Sequence, residues 1–292
     1  MQPLLWEHRP DGLRAPAMVC AFTGWNDAAD AASAALSFVG SALGATRFAR
    51  IDPEEFYDFQ ATRPKVTLGA EGQREIVWPS VEVFAARVPR APRDLVLLGG
   101  PEPSTRWRAF TQLVLDLAEA LDIQLVVSLG ALLADVPHTL PVQVSGSGSD
   151  AQMIERLGLH PSGYEGPTGI NGVLGAACAE RGLPSASLWA SVPHYVAAAP
   201  NPKAALALIR RLEGIVGVAV DASELEAAAA DYERQVGIAV QSDPDVQAFV
   251  ERLEQLAEDE RSGEPEDIPS GERLASEFQR FLRQRGGEGR QG

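Results

Sequence analysis

Lysine is almost missing from this chain. Lys65 and Lys203 are the only two in 292 residues, and the other 23 of its 25 cations are arginines. Against them stand 40 acidic residues, for a formal net charge of −15. A nucleic-acid partner is therefore not expected, because phosphate contacts need clustered cations. Cysteine is as scarce: Cys20 and Cys178 are the only pair. One falls in an apolar strand-like run and the other in a helix-like run, so both read as core residues rather than a disulfide framework or a zinc site. No apolar stretch reaches the roughly 18 residues that span a bilayer. The first 14 residues carry charges and prolines instead of an apolar signal core. A cytoplasmic location without a membrane partner is expected.

What is present is an alternation of apolar strands and helices. Met18 to Phe22 is a short apolar run that ends in Thr23-Gly24-Trp25-Asn26, as a buried strand entering a turn would. Ala28, Ala31, Ala32, Ala35, Leu36, Val39 and Leu43 then recur at helical spacing, with Asn26 or Asp27 as the cap. The unit repeats from Leu95 to Leu98, with Gly99-Gly100-Pro101 read as its turn and a helix through Phe110, Leu113, Val114, Leu117 and Leu121. Leu125–Leu129 and Ser187–Val192 read as further strands. Continuous apolar strands alternating with helices predict an α/β fold: a largely parallel sheet with helices on both faces. Residues 53–79 are polar and broken by prolines and glycines, which predicts a hairpin or long excursion.

The densest punctuation lies at Gly163-Tyr164-Glu165-Gly166-Pro167-Thr168-Gly169-Ile170-Asn171-Gly172. Four glycines and a proline in ten residues cannot form a helix interior. Val173, Leu174, Ala176, Ala177 and Cys178 follow as one apolar helix face, so a backbone-exposing loop opens into a helix start. Thr168 or Asn171 is the expected cap. Free N–H groups at such a start hold anions or carbonyls, while Glu165 would repel an anion placed too near.

Several strings in this order resemble the PAC2 family, relatives of the proteasome assembly chaperones, in its actinobacterial branch. They are Gly24-Trp25-Asn26-Asp27, Trp78-Pro79, Leu97 through Pro103, Leu129-Gly130-Ala131 through Pro137-His138-Thr139, the Tyr164–Asn171 loop, Pro193-His194-Tyr195 and Pro200 through Ala204. The resemblance runs over roughly Val19 to Leu256. It implies a phosphorylase/hydrolase-like α/β fold, self-association and an assembly-chaperone or scaffold role. Chaperones of the family that dock on the proteasome carry a C-terminal hydrophobic-Tyr-X tail. This sequence has no tyrosine after Tyr232, so docking by that route is not expected. The branch is also grouped with ATP-grasp ligases, to which two lysines and no evident metal-binding carboxylate motif lend little.

Candidate ligand-binding residues are Glu165, Thr168, Gly169 and Asn171 in the loop, His138 with Asp135, His194 with Tyr195, and Asn26. A histidine with nearby carboxylates could serve as acid and base, or His138 and Asp135 could simply hold a loop. His194 and Tyr195 could line a crevice beyond the strand ends or belong to a cis-proline turn. The Gly24–Asp27 turn sits where a phosphate loop would, yet matches neither G-x-G-x-x-G nor G-x-x-x-x-G-K. No nucleophile motif accompanies these groups. No catalytic residue, metal ligand or cofactor is therefore assigned. A non-enzymatic chaperone-like or scaffold protein is the favoured reading; the alternative is a hydrolase/phosphorylase-like or ligase-type enzyme using the crevice.

Three regions are expected: residues 1–217 as the α/β domain, 218–261 as a helical subdomain, and 262–292 as an acidic linker with a terminal helix and tail. Ala204–Ile215, Ala222–Val240 and Val246–Ala257 read as helices, with Val250, Leu253 and Leu256 as the last one's apolar stripe. From Glu251 to Glu272 nine acidic residues face two arginines, and Leu274, Phe278, Phe281 and Leu282 then form a docking stripe. A homo-oligomer is expected, a trimer being favoured. Residues 262–292 are predicted to be dispensable for folding, because a Pro/Gly-rich acidic linker isolates them. A chain ending at Arg261 should express and melt close to the full chain; failure to express, or a large fall in Tm, would place the last stripe in the core.

Overall fold

The protein is described here by a computed structural model, which covers residues 3–70, 72–149, 154–155, 158–159, 163–196 and 199–262. In chain order it contains β1 (Leu4–Trp6), β2 (Ala17–Thr23), α1 (Ala31–Ala42), β3 (Thr46–Ile51), β4 (Lys65–Leu68), β5 (Arg74–Val77), β6 (Val81–Ala86), β7 (Leu95–Pro101), α2 (Trp107–Ala120), β8 (Leu125–Ala134), β9 (Val144–Gly148), α3 (Ile170–Glu180), β10 (Ser185–Pro193), α4 (Pro202–Val216), α5 (Ser223–Gln241) and α6 (Pro244–Ser262). The stripe at Leu274–Leu282 lies outside the described residues.

Eight strands form one sheet in the order β1-β3-β6-β7-β2-β8-β10-β9. Its centre, β7-β2-β8-β10, is parallel, as the continuous apolar runs predict. Antiparallel strands flank it on both sides. These outer strands are short and mixed in polarity, so they carry little of the signal that a doubly buried strand carries. β2 shows why the centre needs cover on both faces. Ala17, Val19 and Ala21 enter one core with residues of α1 and α4, while Met18, Cys20 and Phe22 enter the other with residues of α2 and α3. Alternation of side chains along the strand divides these six consecutive residues between two layers.

Gly99 and Gly100 do not form the expected turn; they remain inside β7. A Cβ on Gly99 would lie 2.6 Å from Leu36 Cδ2, and one on Gly100 would lie 2.4 Å from the Ser80 carbonyl oxygen. The glycines let a helix and a neighbouring backbone approach the strand. The segment before β6 holds the hairpin β4–β5, a two-stranded sheet separate from the main one. The described helices after β10 lie where the spacing places them. Val250 and Leu253 are buried as expected, but Leu256 is 56% exposed, because steps of three residues fall short of a 3.6-residue turn and carry the stripe around the helix. Cys20 and Cys178 are free and buried in the same core, and burial pushes the Cys178 thiol up to about 11. No described helix is long and apolar enough to cross a membrane.

Phe110 joins the second core's aromatics: its ring lies 5.8 Å from Phe22 and 5.4 Å from Phe56, both edge-on. Phe110→Ala is predicted to destabilise the fold by about 3–5 kcal/mol, measured as a shift in the urea midpoint with unchanged slope. A change below about 1 kcal/mol would mean that this core layer collapses freely around the lost ring.

Candidate functional site

Residues that follow β2 and β7, the β8 backbone at Leu129 and Ala131 and the start of α3 meet toward the carboxyl edge of the parallel strands, where ligands of open α/β sheets bind. Asn26 and Asp27 leave β2, and the Ala131 N–H donates to the Asn26 carbonyl at 2.9 Å, tying that turn to β8. Asp27 caps α1 from outside its first turn: Oδ1 accepts from the Ala32 and Ser33 N–H groups at 2.7 and 3.2 Å. Burial nevertheless raises the Asp27 carboxyl above its ordinary value, ahead of the lowering by those hydrogen bonds.

The α3 start is built differently from its sequence expectation. The cap position is Gly169, not Thr168 or Asn171, and no side chain of the loop caps it. Glu102, three-dimensionally adjacent although 68 residues away, fills the role. Its Oε1 accepts from the Ile170 N–H at 2.7 Å and from Asn26 Nδ2 at 2.8 Å. The seat that an external anion would take at this helix start therefore holds the chain's own carboxylate. Gly169 is required because a Cβ there would come within 2.3 Å of Asn26 Oδ1. Asn171 is buried and donates from Nδ2 to the Leu129 carbonyl at 3.0 Å. Asn26 Oδ1, Asp27 Oδ2 and Asn171 Oδ1 are buried without a protein donor, so this buried polar set holds three unmatched acceptors. Glu165 and Thr168 lie outside it, exposed on the loop, as does Tyr164, whose hydroxyl donates to the Pro167 carbonyl at 2.8 Å.

The remaining candidates gather beneath α5 and α6. His138 is buried, and its backbone N–H donates to the Tyr195 hydroxyl oxygen at 2.7 Å. The Tyr195 hydroxyl proton is then free to point at His138 Nδ1, 2.8 Å away, which leaves the imidazole proton on Nε2. Lys203 donates to the His138 carbonyl and pairs with Glu233, and Thr139 donates to Glu254. His194 Nδ1 lies 2.8 Å from Asp135 Oδ1, so Asp135 partners His194 rather than His138. Phe249 packs edge-on against both His194 and Tyr195. A shallow depression of about 370 Å³ lies between His138, Thr139 and the Ala230–Gly237 face of α5. The only cis bond among the described residues is Ala199–Pro200, not one at Pro137 or Pro193. These histidines tie two strand-end loops to a helical pair, and no hydrogen bond or ion pair among the described residues joins them to the Asn26–Glu102–Asn171 set. No described group of three His, Cys, Asp or Glu side chains could hold a metal ion.

In the sequence, Glu102 stands only as part of the Leu97–Pro103 string. Its signal was available: an acidic residue bracketed by Pro101 and Pro103 directly after a buried strand. What the sequence could not give was the helix start that it faces. Lys203, Glu233 and Glu254 were missed as partners of the His138 segment for the same reason, since the contacts span up to 115 residues.

Residues 21–240 match the PAC2 family. A solved PAC2 family protein from Streptomyces avermitilis is 48% identical, with 80% of this chain and 99% of that one covered at a TM-score of 0.75. A proteasome-assembly chaperone homologue from Mycobacterium tuberculosis is 42% identical over 80% of this chain and 99% of its own, at a TM-score of 0.74. An archaeal proteasome activator from Pyrococcus furiosus shares the fold at 18% identity and a TM-score of 0.64, with 81% of this chain and 97% of that one covered. No curated protein matches the sequence.

Two outcomes test this geometry. Glu102→Ala leaves the Ile170 N–H and Asn26 Nδ2 unpaired and should cost about 1–3 kcal/mol, while Glu165→Gln at the exposed loop should leave the urea midpoint in place. The second concerns pH. Burial, then Lys203, lowers the His138 pKa against the opposing pull of Glu233 and Glu254, so the folded state favours the neutral ring. A depressed histidine pKa gives stability that is full above its unfolded value of about 6.5 and is lost as pH falls below it. Unfolding free energy should therefore drop on acidification below pH 6.5, and His138→Asn, which cannot titrate, should flatten that slope.

Proposed function

We propose that this chain, which belongs to the PAC2 family, is a non-enzymatic protein that works through protein–protein contacts, as an assembly-chaperone-like or scaffold component of the cytoplasm. The observation that carries this reading is the Glu102 carboxylate on the Ile170 N–H: the helix start best placed to recognise an anionic substrate is closed by the chain itself. The polar groups of the second set are likewise committed to holding α5 and α6 on the strand-end loops. A 42%-identical neighbour described as a proteasome-assembly chaperone homologue supports the same direction.

The loop from Glu165 to Asn171 then serves as a contact surface rather than a catalytic centre. Its exposed arc presents Tyr164, 40% accessible, and Trp25, 52% accessible, lies on the turn after β2 at the same strand edge. Asn26 positions the turn beside that surface, while His138, Asp135, His194 and Tyr195 hold the loops beneath α5 and α6. The working form is proposed to be a homo-oligomer, with a trimer favoured. Light scattering at micromolar concentration should give a mass near three times 31.1 kDa. A mass of 31.1 kDa would remove the oligomer, and turnover of a phosphorylated or acylated nucleoside by the purified chain would remove the non-enzymatic reading.

A further inference from the structure

Half of the large apolar side chains exposed among the described residues stand in one place. Of the ten, Val66, Leu68, Ile76, Val77 and Trp78 lie on or next to the β4–β5 hairpin, whose strand residues are all exposed. Val66 pairs with Ile76 and Leu68 with Arg74, so Val66, Leu68 and Ile76 share one face. A two-stranded sheet with an uncovered apolar face is marginal alone and gains most from being covered. Ile76, Val77 and Trp78 also line a groove of about 670 Å³ that the hairpin forms with β1, β3 and β6. An apolar wall thus continues from the groove onto the hairpin face.

The charge of the groove says what kind of segment fits it. Asp52, Glu54, Glu75 and Glu82 line it against Arg47 and Arg50, a net of −2. Arg47 is already held by Glu7 and Glu82, at 2.9 and 2.5 Å. The complement is a segment that is apolar on one side and cationic beside it. Residues 263–292 lie outside the described residues, and their sequence supplies one. Leu274, Phe278, Phe281 and Leu282 recur at i, i+4, i+7 and i+8, the spacing of a single helix face. Residues 273–285 carry Arg273, Arg280, Arg283 and Arg285 against Glu277, a net of +3 on a chain whose total is −15. The acidic α5–α6 pair would attract the same charge, yet it offers the stripe no apolar face. Ile238 stands on the side of α5 opposite the buried Val236 and Val240, apart from Leu256 of α6.

Reach permits the contact within one chain. Glu82, in the groove wall, pairs with Gly99 near the end of β7, so the groove opens at the carboxyl edge of the parallel strands. α6 is anchored at the same edge, where Glu254 accepts from Thr139 after β8. From β3 to β10 is five strand spacings, about 24 Å. The stretch from Ser262 to Leu274 spans up to about 40 Å when extended. It carries Glu264, Glu266, Asp267 and Glu272 with no cation, a charge that keeps it off the acidic helical pair.

We propose that residues 274–285 dock in the groove beside the β4–β5 hairpin of the same chain, with the Leu274–Leu282 stripe against Ile76, Val77 and Trp78. The hairpin belongs to neither large core, so this contact is compatible with a chain that keeps its Tm when cut at Arg261. Two full-length cysteine variants test it under mild oxidation: Ile76→Cys/Phe278→Cys for the groove and Leu256→Cys/Phe278→Cys for α6. Cys20 and Cys178 are buried and do not compete. The groove variant should form a disulfide within one chain, mapped by mass spectrometry, at least about tenfold faster than the α6 variant, because docking raises the effective concentration of the pair. Hydrogen exchange supplies a readout without new cysteines. Full-length Phe278→Asp/Phe281→Asp should speed exchange across residues 65–77 by about tenfold or more and leave β2 and β8 unchanged. A disulfide that joins two chains would give the groove to the tail of a second copy and overturn the contact within one chain. Equal rates in the two cysteine variants, or hairpin exchange indifferent to the Phe278 and Phe281 changes, would overturn the docking itself.

Discussion

The four parallel strands at the centre of the sheet have no solvent face, and most of the architecture follows from covering them. A strand such as β2, whose alternate residues enter two cores, requires helices above and below. Because these strands run parallel, the carboxyl ends of β2, β7, β8 and β10 lie at one edge of the sheet. The loops carrying Asn26, Glu102, the His138 segment and the His194 segment collect there for that reason alone. Convergence of polar residues at this edge is therefore a product of topology before it is a sign of chemistry, and it must be judged by where the polar atoms point.

By that measure the edge is occupied by the chain itself. Glu102 joins the β2 turn, the β7 exit and the α3 start through one carboxylate oxygen. A carboxylate at a helix start gains both a charge-assisted hydrogen bond and the helix dipole, roughly 0.3–1 kcal/mol for the latter in exposed settings and more when partly buried. The same placement removes the positive potential that would draw a phosphate. An anion seated at this helix start would have to displace the Glu102 carboxylate from the Ile170 N–H.

The central strands and helices were legible because their apolar periodicity is strong and continuous. Met18–Phe22 and Leu125–Leu129 could be read without knowing what lies beside them. The flanking strands β3, β6 and β9 were not legible: an antiparallel edge alternates weakly, and its pairing is set by partners distant in sequence. Gly99 and Gly100 show the same limit from the other side. A glycine pair before a proline reads as a turn, yet it remains in the strand because Leu36 and the Ser80 carbonyl come too close for any side chain. At the candidate site, the α3 start and the buried positions of Asn26, His138 and Asn171 were within reach, but their partners were not. Local spacing finds a histidine three residues from an aspartate; only the fold shows that Asp135 turns to His194 while His138 takes Tyr195.

Net charge acquires a different meaning once it is placed on the fold. A total of −15 argues for solubility and against nucleic acid, but a sum says nothing of distribution. More than half of that imbalance, −8, falls in residues 223–259, and the helical pair they form holds to the rest of the molecule through Lys203, Arg210, the Thr139–Glu254 hydrogen bond and aromatic and aliphatic contacts. One of the chain's two lysines is spent on that attachment, bridging Glu233 and the His138 carbonyl. The other, Lys65, stands on the hairpin, where it forms no ion pair among the described residues. A lysine on an exposed two-stranded hairpin guards against edge-to-edge pairing, since its charge opposes the approach of another strand.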